Sequence, residues 1–263
     1  MTPLKGRVAL VTGAGQGVGE GVARRLAAAG AQVVVAEYNT ERGQQVAEEL
    51  ARGPGDGLFI HTDIRQQAST VAAVEQTIDR LGRLDVLVNN AYPTGSPPRR
   101  LEDREFDGFQ LALSAGFESV WWTMKAAYPA MAAQQYGRVI NMCSLNGVNA
   151  HPYTADYNSA KEAVRALSRT AAREWARHGI CVNVICPAAV TPAYQRFERL
   201  DPENCALMLA QNPMGRMGDP EQDIGGVALF LAGEDSRYLT GNTLFVDGGS
   251  HINGVNWNPE PTA

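Results

Sequence analysis

The sequence predicts an α/β fold: a single domain built on a doubly wound parallel sheet with helices on both faces. Short β-branched runs alternate with longer stretches of helical periodicity, and a glycine-rich turn follows the first run. A chain of 263 residues that is 44% hydrophobic is also long enough to bury one substantial core without outside staples. Parallel neighbours need crossover connections, which are nearly always right-handed, so this alternation leads to a Rossmann-type layout.

In chain order, strands are expected at 8–11, 32–36, 58–62, 86–88, 138–141 and 181–185, each bounded by turn residues. Helices are expected at 19–29, 40–52, 68–81, 119–134 and 157–178, each far longer than a strand and carrying spaced apolar positions. The Pro-rich stretch 92–98 reads as a surface loop. The tail 251–263, with Gly254, Pro259 and Pro261, reads as irregular, mobile or used in packing between subunits.

A net charge of -5 with scattered basic residues leaves no electrostatic footprint for nucleic acid or an anionic membrane. Cys143, Cys181, Cys186 and Cys205 contain no CxxC pair and lie in or beside apolar runs, which points to reduced, structural thiols. The apolar segment 8–11 is too short for a signal-peptide core or a membrane span, so a cytoplasmic location is expected. His61, His151, His178 and His251 lack ligand spacing, and no metal site is expected.

The turn Thr12-Gly13-Ala14-Gly15-Gln16-Gly17-Val18-Gly19 leads from the first strand into a helix. Its glycines let the backbone approach a pyrophosphate, and the helix N-terminus faces the anion. Glu37 closes the second strand, where a carboxylate accepts hydrogen bonds from the hydroxyls of an adenosine ribose and repels a 2′-phosphate. Gln16 is neutral and Tyr38 stands where an Arg would rescue a phosphate, so NAD is the expected cofactor, although Arg42 keeps NADP open. Further along, Tyr157 and Lys161 open a helix four residues apart, hence on one face. A phenol titrates near 10, and a neighbouring ammonium brings its phenolate within reach of neutral pH for exchanging a proton with an alcohol. Ser144 follows the strand ending at Asn141, at the crevice of an open sheet, where its hydroxyl can hold a carbonyl or alkoxide oxygen.

In order and spacing, the glycine turn, Asn89-Asn90-Ala91, Ser144 and Tyr157-x-x-x-Lys161 resemble the short-chain dehydrogenase/reductase family over nearly the whole chain. Further matches are Asp63-Ile64, Asn183 with Pro187, Thr240-Gly241 and Asp247-Gly248-Gly249. The resemblance implies hydride transfer at nicotinamide, with Tyr157 as acid/base, Ser144 orienting the substrate oxygen, and Lys161 also binding the nicotinamide ribose. It implies cofactor contacts from Gly13, Gln16, Gly17, Val18, Gly19, Glu37, Asp63, Ile64, Asn90, Ala91, Pro187, Val190 and Thr191 as well as Tyr157 and Lys161. On the same basis residues 1–250 are the dinucleotide-binding and catalytic domain, and a homotetramer or dimer is expected.

The sequence also departs from that family. A Gly usual after Asn-Asn-Ala is Tyr92, which narrows the expected pocket, and Pro187 is followed by Ala188 instead of Gly. A fourth catalytic Asn, which in the family supports a water linking the lysine to solvent, has no counterpart: the counts land on Gly116 or near Leu113, and only Ser114 between them is polar. A substrate lid is expected at about 190–218, with Tyr194, Phe197, Leu200, Leu207, Met208, Leu209 and Met214 as an apolar roof. With Tyr92, Asn146, Tyr153 and Tyr194 as substrate residues, and His151 and Trp121 nearby, the expected substrate is a hydrophobic, cyclic or aromatic secondary alcohol or its ketone. Two alternatives stand beside it: a 3-oxoacyl-thioester ketoreductase using NADPH, which Glu37 disfavours, and a non-catalytic dinucleotide-sensing protein. Trp121-Trp122 reads as helix packing or an interface.

Overall fold

Val8–Thr12 (β1) is buried along its whole length, as a strand covered on both faces must be. The computed structural model describes residues 2–93 and 97–252, so the expected tail beyond Ile252 and part of the Pro-rich loop lie outside the described residues. Around β1 stand Gln32–Glu37 (β2), Asp56–His61 (β3), Val86–Asn89 (β4), Gly137–Met142 (β5), Ile180–Pro187 (β6) and Thr243–Val246 (β7). They form one parallel sheet in the order β3-β2-β1-β4-β5-β6-β7. The chain builds outward from β1 to β3, then returns to the other side of β1 for β4, which opens a crevice at the carboxyl ends of β1 and β4.

The helices are Gly17–Ala28 (α1), Thr40–Leu50 (α2), Gln67–Leu81 (α3), Phe106–Leu113 (α4), Ser119–Gln134 (α5), Leu145–Val148 (α6), Ala155–Trp175 (α7), Pro192–Leu200 (α8), Pro202–Ala210 (α9) and Gly225–Ala232 (α10). Alternation of side chains along each strand divides the core in two. On one face Ala9 and Val11 join Val33, Val35, Val86 and Val88 beneath Val22 and Leu26 of α1, Leu50 of α2 and Leu231 of α10. On the other, Val8, Leu10, Val34 and Leu87 pack under Val74 of α3, Met124 and Met131 of α5 and Val164 of α7.

All six expected strands and five expected helices are present, the helix 119–134 with its expected ends and the others with ends shifted by up to three residues. The four-residue β7 lies outside that expected set, as do α4, α6 and α10, and the expected lid segment carries α8 and α9. A buried anchor holds the start of β4 against β1: the Asp85 carboxylate accepts from Arg83 Nε (2.7 Å), Arg7 Nη1 (2.9 Å) and the Val8 N–H (2.9 Å). Burial alone would raise the Asp85 pKa, but these hydrogen bonds, led by Arg83, hold it below the usual carboxylate range. The four cysteines are buried and unpaired. Among the described residues, no helix is long and apolar enough to cross a membrane.

Candidate active site

At the end of β1, Gly13 takes φ +65° and its N–H donates to Ala36 O at 2.7 Å, turning the chain sharply into α1. A Cβ on Gly13 would lie 2.9 Å from Ala91 Cα, and one on Gly19 would collide with Gly13 O and Asn90 Nδ2. Gln16 is the N-cap of α1 and offers no side-chain hydrogen bond, which leaves the first turn's N–H groups uncapped by a side chain. A backbone cradle shaped by absent side chains, ending on an open helix N-terminus, fits the pyrophosphate of a dinucleotide.

Thr12 Oγ1 accepts from both the Asn90 and Ala91 N–H groups (3.0 and 3.1 Å), while Asn90 Nδ2 donates to Thr12 O and Gly13 O (3.0 and 3.1 Å). The ends of β1 and β4 are thereby locked together beneath the cradle. Glu37 turns back on the turn: its Oε2 accepts from the Gly15 N–H and its Oε1 from the Asn39 N–H, both at 3.0 Å. Asp63 is held by the Arg65 side chain (2.8 Å to Nε and to Nη2) and by the Arg65 N–H at 3.0 Å, beside Ile64. Across the crevice, Thr191 caps α8 by accepting from Tyr194 N–H at 3.1 Å. A Cβ on Gly17 would lie 3.5 Å from Thr191 Cγ2, so the chain after Pro187 reaches the start of α1. Val190 is exposed, and its N–H donates to Gly218 O at 2.9 Å.

The acid/base candidates meet where β5 and α7 converge. Lys161 is buried, and its Nζ donates to Met142 O, the last residue of β5, at 2.8 Å. Burial lowers its pKa. Burial raises the pKa of Tyr157, opposed by a hydrogen bond with Ser144 that favours the phenolate. Ser144 caps α6 by accepting from the Asn146 N–H at 3.1 Å, which fixes the hydroxyl at the crevice. Cys143, one residue earlier, donates its thiol to Lys161 O at 3.3 Å, and burial pushes that thiol up to about 12, leaving it chemically quiet.

Tyr92 lies with its ring centroid 4.9 Å from that of Tyr157, at 79°. The place counted for the absent Asn is a π-helical turn, Ser114–Glu118, in which Ser114 Oγ donates to Leu111 O at 3.4 Å and Gly116 is buried. Asn146, next but one to Ser144, and Tyr92, against Tyr157, stand beside the site. Tyr153 is 53% exposed at φ +66°, and it is its carbonyl that is held, by Arg104 Nη2 at 2.6 Å. Tyr194 Oη accepts from Cys205 Sγ at 3.3 Å, a contact that ties α8 to α9.

Sequence reasoning missed the supports of the site. A buried polar chain runs beneath it: Thr123 Oγ1 donates to Asn89 Oδ1 (2.7 Å), Asn89 Nδ2 to Asn141 Oδ1 (2.8 Å), and Asn141 Nδ2 to Ser168 Oγ (2.8 Å). The Arg104–Asp156 ion pair (3.2 Å), buried on both sides, pins the loop before α4 to the start of α7. Asn141, polar within an expected strand, and Asn89, in the Asn89-Asn90-Ala91 run, carried a signal; nothing local marks Arg104, Thr123 or Ser168.

A family model described as Enoyl-(Acyl carrier protein) reductase matches residues 13–251. The 12alpha-hydroxysteroid dehydrogenase of a Clostridium species is 36% identical over 252 residues, covering 93% of this chain and 96% of that one. The 2,5-dichloro-2,5-cyclohexadiene-1,4-diol dehydrogenase LinX of Sphingobium indicum is 35% identical over 250 residues, covering 94% and 96%. The crystal structure of levodione reductase superposes with a TM-score of 0.89 at 30% identity, covering 95% and 99%. The chain is a member of the short-chain dehydrogenase/reductase family, whose members are oxidoreductases working with a nicotinamide dinucleotide.

Proposed function

We propose that this chain is an NAD(H)-dependent dehydrogenase interconverting a secondary alcohol and a ketone on a hydrophobic cyclic or aromatic substrate, with Tyr157 as acid/base. The observation that carries the reading is the convergence of Tyr157, Ser144 and the buried Lys161 at the carboxyl end of β5. A bound NAD would supply the hydride acceptor for oxidation of the carbinol carbon. Gly13, Gln16, Gly17, Val18 and Gly19 hold the pyrophosphate. Glu37 favours ribose hydroxyls over a 2′-phosphate, and Asp63, Ile64, Asn90, Ala91, Pro187, Val190 and Thr191 complete the cleft.

In oxidation the Tyr157 phenolate takes the alcohol proton while Ser144 holds the same oxygen; in reduction the phenol returns the proton to the carbonyl oxygen. Lys161 stabilises the phenolate and would also bind the nicotinamide ribose. Tyr92, Asn146, Tyr153 and Tyr194 flank the substrate. Residues of about 190–218 act as its lid: across α8 and α9 only Cys205 is buried, while Leu200 (73% exposed), Leu207 (64%) and Met214 (69%) offer apolar surface to a ligand. The names of the hydroxysteroid and cyclohexadiene-diol dehydrogenases support a cyclic substrate. Exposed Phe106, Leu111, Leu113 and Trp121 on α4 and α5 support a homo-oligomer.

The test is NADH formation with steroid, terpene and aryl alcohols by the wild type and Tyr157→Phe. The variant is expected to lose about 100- to 10,000-fold in rate. Equal rates would overturn the mechanism, and turnover of small polar polyols alone would overturn the substrate class.

A further inference from the structure

We propose that Tyr92 is a positioning residue for proton transfer, its ring holding the Lys161 ammonium and the Tyr157 ring in their working arrangement; the inference rests on the dehydrogenase reading above. Lys161 Nζ lies 4.9 Å from the centroid of the Tyr92 ring and 5.8 Å from that of Tyr157. Among the described residues no carboxylate pairs with Lys161, and its hydrogen bond goes to Met142 O. A buried ammonium with one carbonyl partner gains from the negative face of an aromatic ring, and gains more where water is excluded. The Tyr157 ring meets the same ring edge-on at 79°, a favourable aromatic geometry that restrains its tilt.

The seat for this ring is made elsewhere in the chain. A Cβ on Gly116 would lie 2.5 Å from Tyr92 Cε2 and 3.1 Å from Cδ2, and 3.5 Å from the Cβ of Ala160 on α7. The π-helical turn between α4 and α5 carries this bare backbone against the Cδ2–Cε2 edge of the ring. The two sequence departures, a large residue at 92 and no side chain at 116, are therefore one exchange in space: the ring occupies the room that residue 116 vacates.

Tyr92 and Tyr157 are not interchangeable as acids. Burial raises the pKa of Tyr92 first of all, followed by the proximity of Tyr157 and Asp156; Arg104 opposes them, but no hydroxyl does so as Ser144 does for Tyr157. Burial therefore works against ionisation of Tyr92 with no neighbouring hydroxyl to offset it. The other groups facing this cluster are Cys143 and Cys186, both pushed up to about 12 by burial, the Arg104–Asp156 pair, and the Glu162–Arg165 pair beyond Cys143. Neither thiol changes charge in the working pH range.

The experiment compares wild type, Tyr92→Phe, Tyr92→Leu and Gly116→Ala. With the ring lost, Lys161 holds its charge less well, the phenolate loses support, and the Tyr157 pKa rises. The acid limb of kcat/KM for alcohol oxidation is expected to move up by about one pH unit in Tyr92→Leu and in Gly116→Ala, which crowds the ring. Tyr92→Phe, which keeps the ring, is expected to retain the wild-type limb.

A second readout does not need turnover. The tyrosinate absorbance change that disappears with Tyr157→Phe is titrated in the Tyr92→Phe and Tyr92→Leu variants, in protein whose folding is verified by circular dichroism, and the same upward shift is expected only in Tyr92→Leu. Coincident titrations in the two variants, or a Tyr92→Phe protein shifted as far as Tyr92→Leu, would overturn the assignment. A wild type without alcohol turnover overturns the dehydrogenase reading instead, and the absorbance titration still decides the role of Tyr92.

Discussion

The Glu37 carboxylate accepts a hydrogen bond from the Gly15 N–H at 3.0 Å, so the end of β2 is fastened to the turn that follows β1. The same carboxylate limits what can lie there: a 2′-phosphate would bring like charges together, whereas ribose hydroxyls can donate to it. Replacing Glu37 by Ala is expected to lower the preference for NAD over NADP by about 10- to 100-fold, the worth of hydrogen bonds to a charged group. The check is the ratio of kcat/KM for the two cofactors with one alcohol.

Ser144 acts on Tyr157 through the hydrogen bond that opposes the effect of burial. Its loss in Ser144→Ala leaves burial unopposed, so the Tyr157 pKa rises further. On acidification, alcohol oxidation, which needs the phenolate, is then lost at a higher pH than in the wild type; ketone reduction, which needs the phenol, persists to a higher pH. A shift of about one pH unit corresponds to a hydrogen bond of roughly 1.5 kcal/mol. Rate profiles measured in both directions test the sign.

Gly19 has no room for a side chain between Gly13 O and Asn90 Nδ2. Gly19→Ala is expected to cost about 1–3 kcal/mol of stability and to weaken NADH binding, because the cradle must widen. Thermal melts and quenching of protein fluorescence by NADH report the two effects.

Asp85 gives a stability prediction with a definite pH window. Its folded pKa is depressed, so its contribution is complete above the ordinary carboxylate value of about 4 and is lost as pH falls through the folded value. Asp85→Ala is expected to destabilise by about 3 kcal/mol at neutral pH, the low end for breaking a buried pair, because Arg7 and Arg83 are partly exposed. The gap between wild type and variant should narrow on acidification, as measured by urea midpoints from pH 7 downward.

The exposed Leu207 tests the lid. Leu207→Ser is expected to leave the melting temperature nearly unchanged, as surface substitutions do, while raising KM for a bulky hydrophobic alcohol. An unchanged KM would remove this residue from the substrate path.

The fold was legible because its strands are apolar runs buried on both faces and its glycine turn marks the first crossover. Element ends were less so: β3 starts at Asp56, two residues before its apolar core, because pairing with β2 begins at Gln32. The β7 strand escaped because four partly buried residues at a sheet edge carry little periodicity. At the site, Tyr157 and Lys161 were marked by their four-residue spacing and Ser144 by its place after a strand end, but the carbonyl of Met142 that receives Lys161 has no side-chain signature. The contacts of Tyr92 with Gly116 and of Arg104 with Asp156 join distant segments, and single-segment patterns are blind to them.

Because α8 and α9 contribute one buried side chain between them, the free energy that keeps the sheet and its helices assembled resides almost wholly outside these two helices. Mutations there escape the usual stability threshold. A lineage can therefore rewrite the helices of the proposed lid while the strand ends carrying Thr12, Asn90 and the carbonyl partner of Lys161 stay untouched. New specificities are accessible to this scaffold one tolerated surface change at a time.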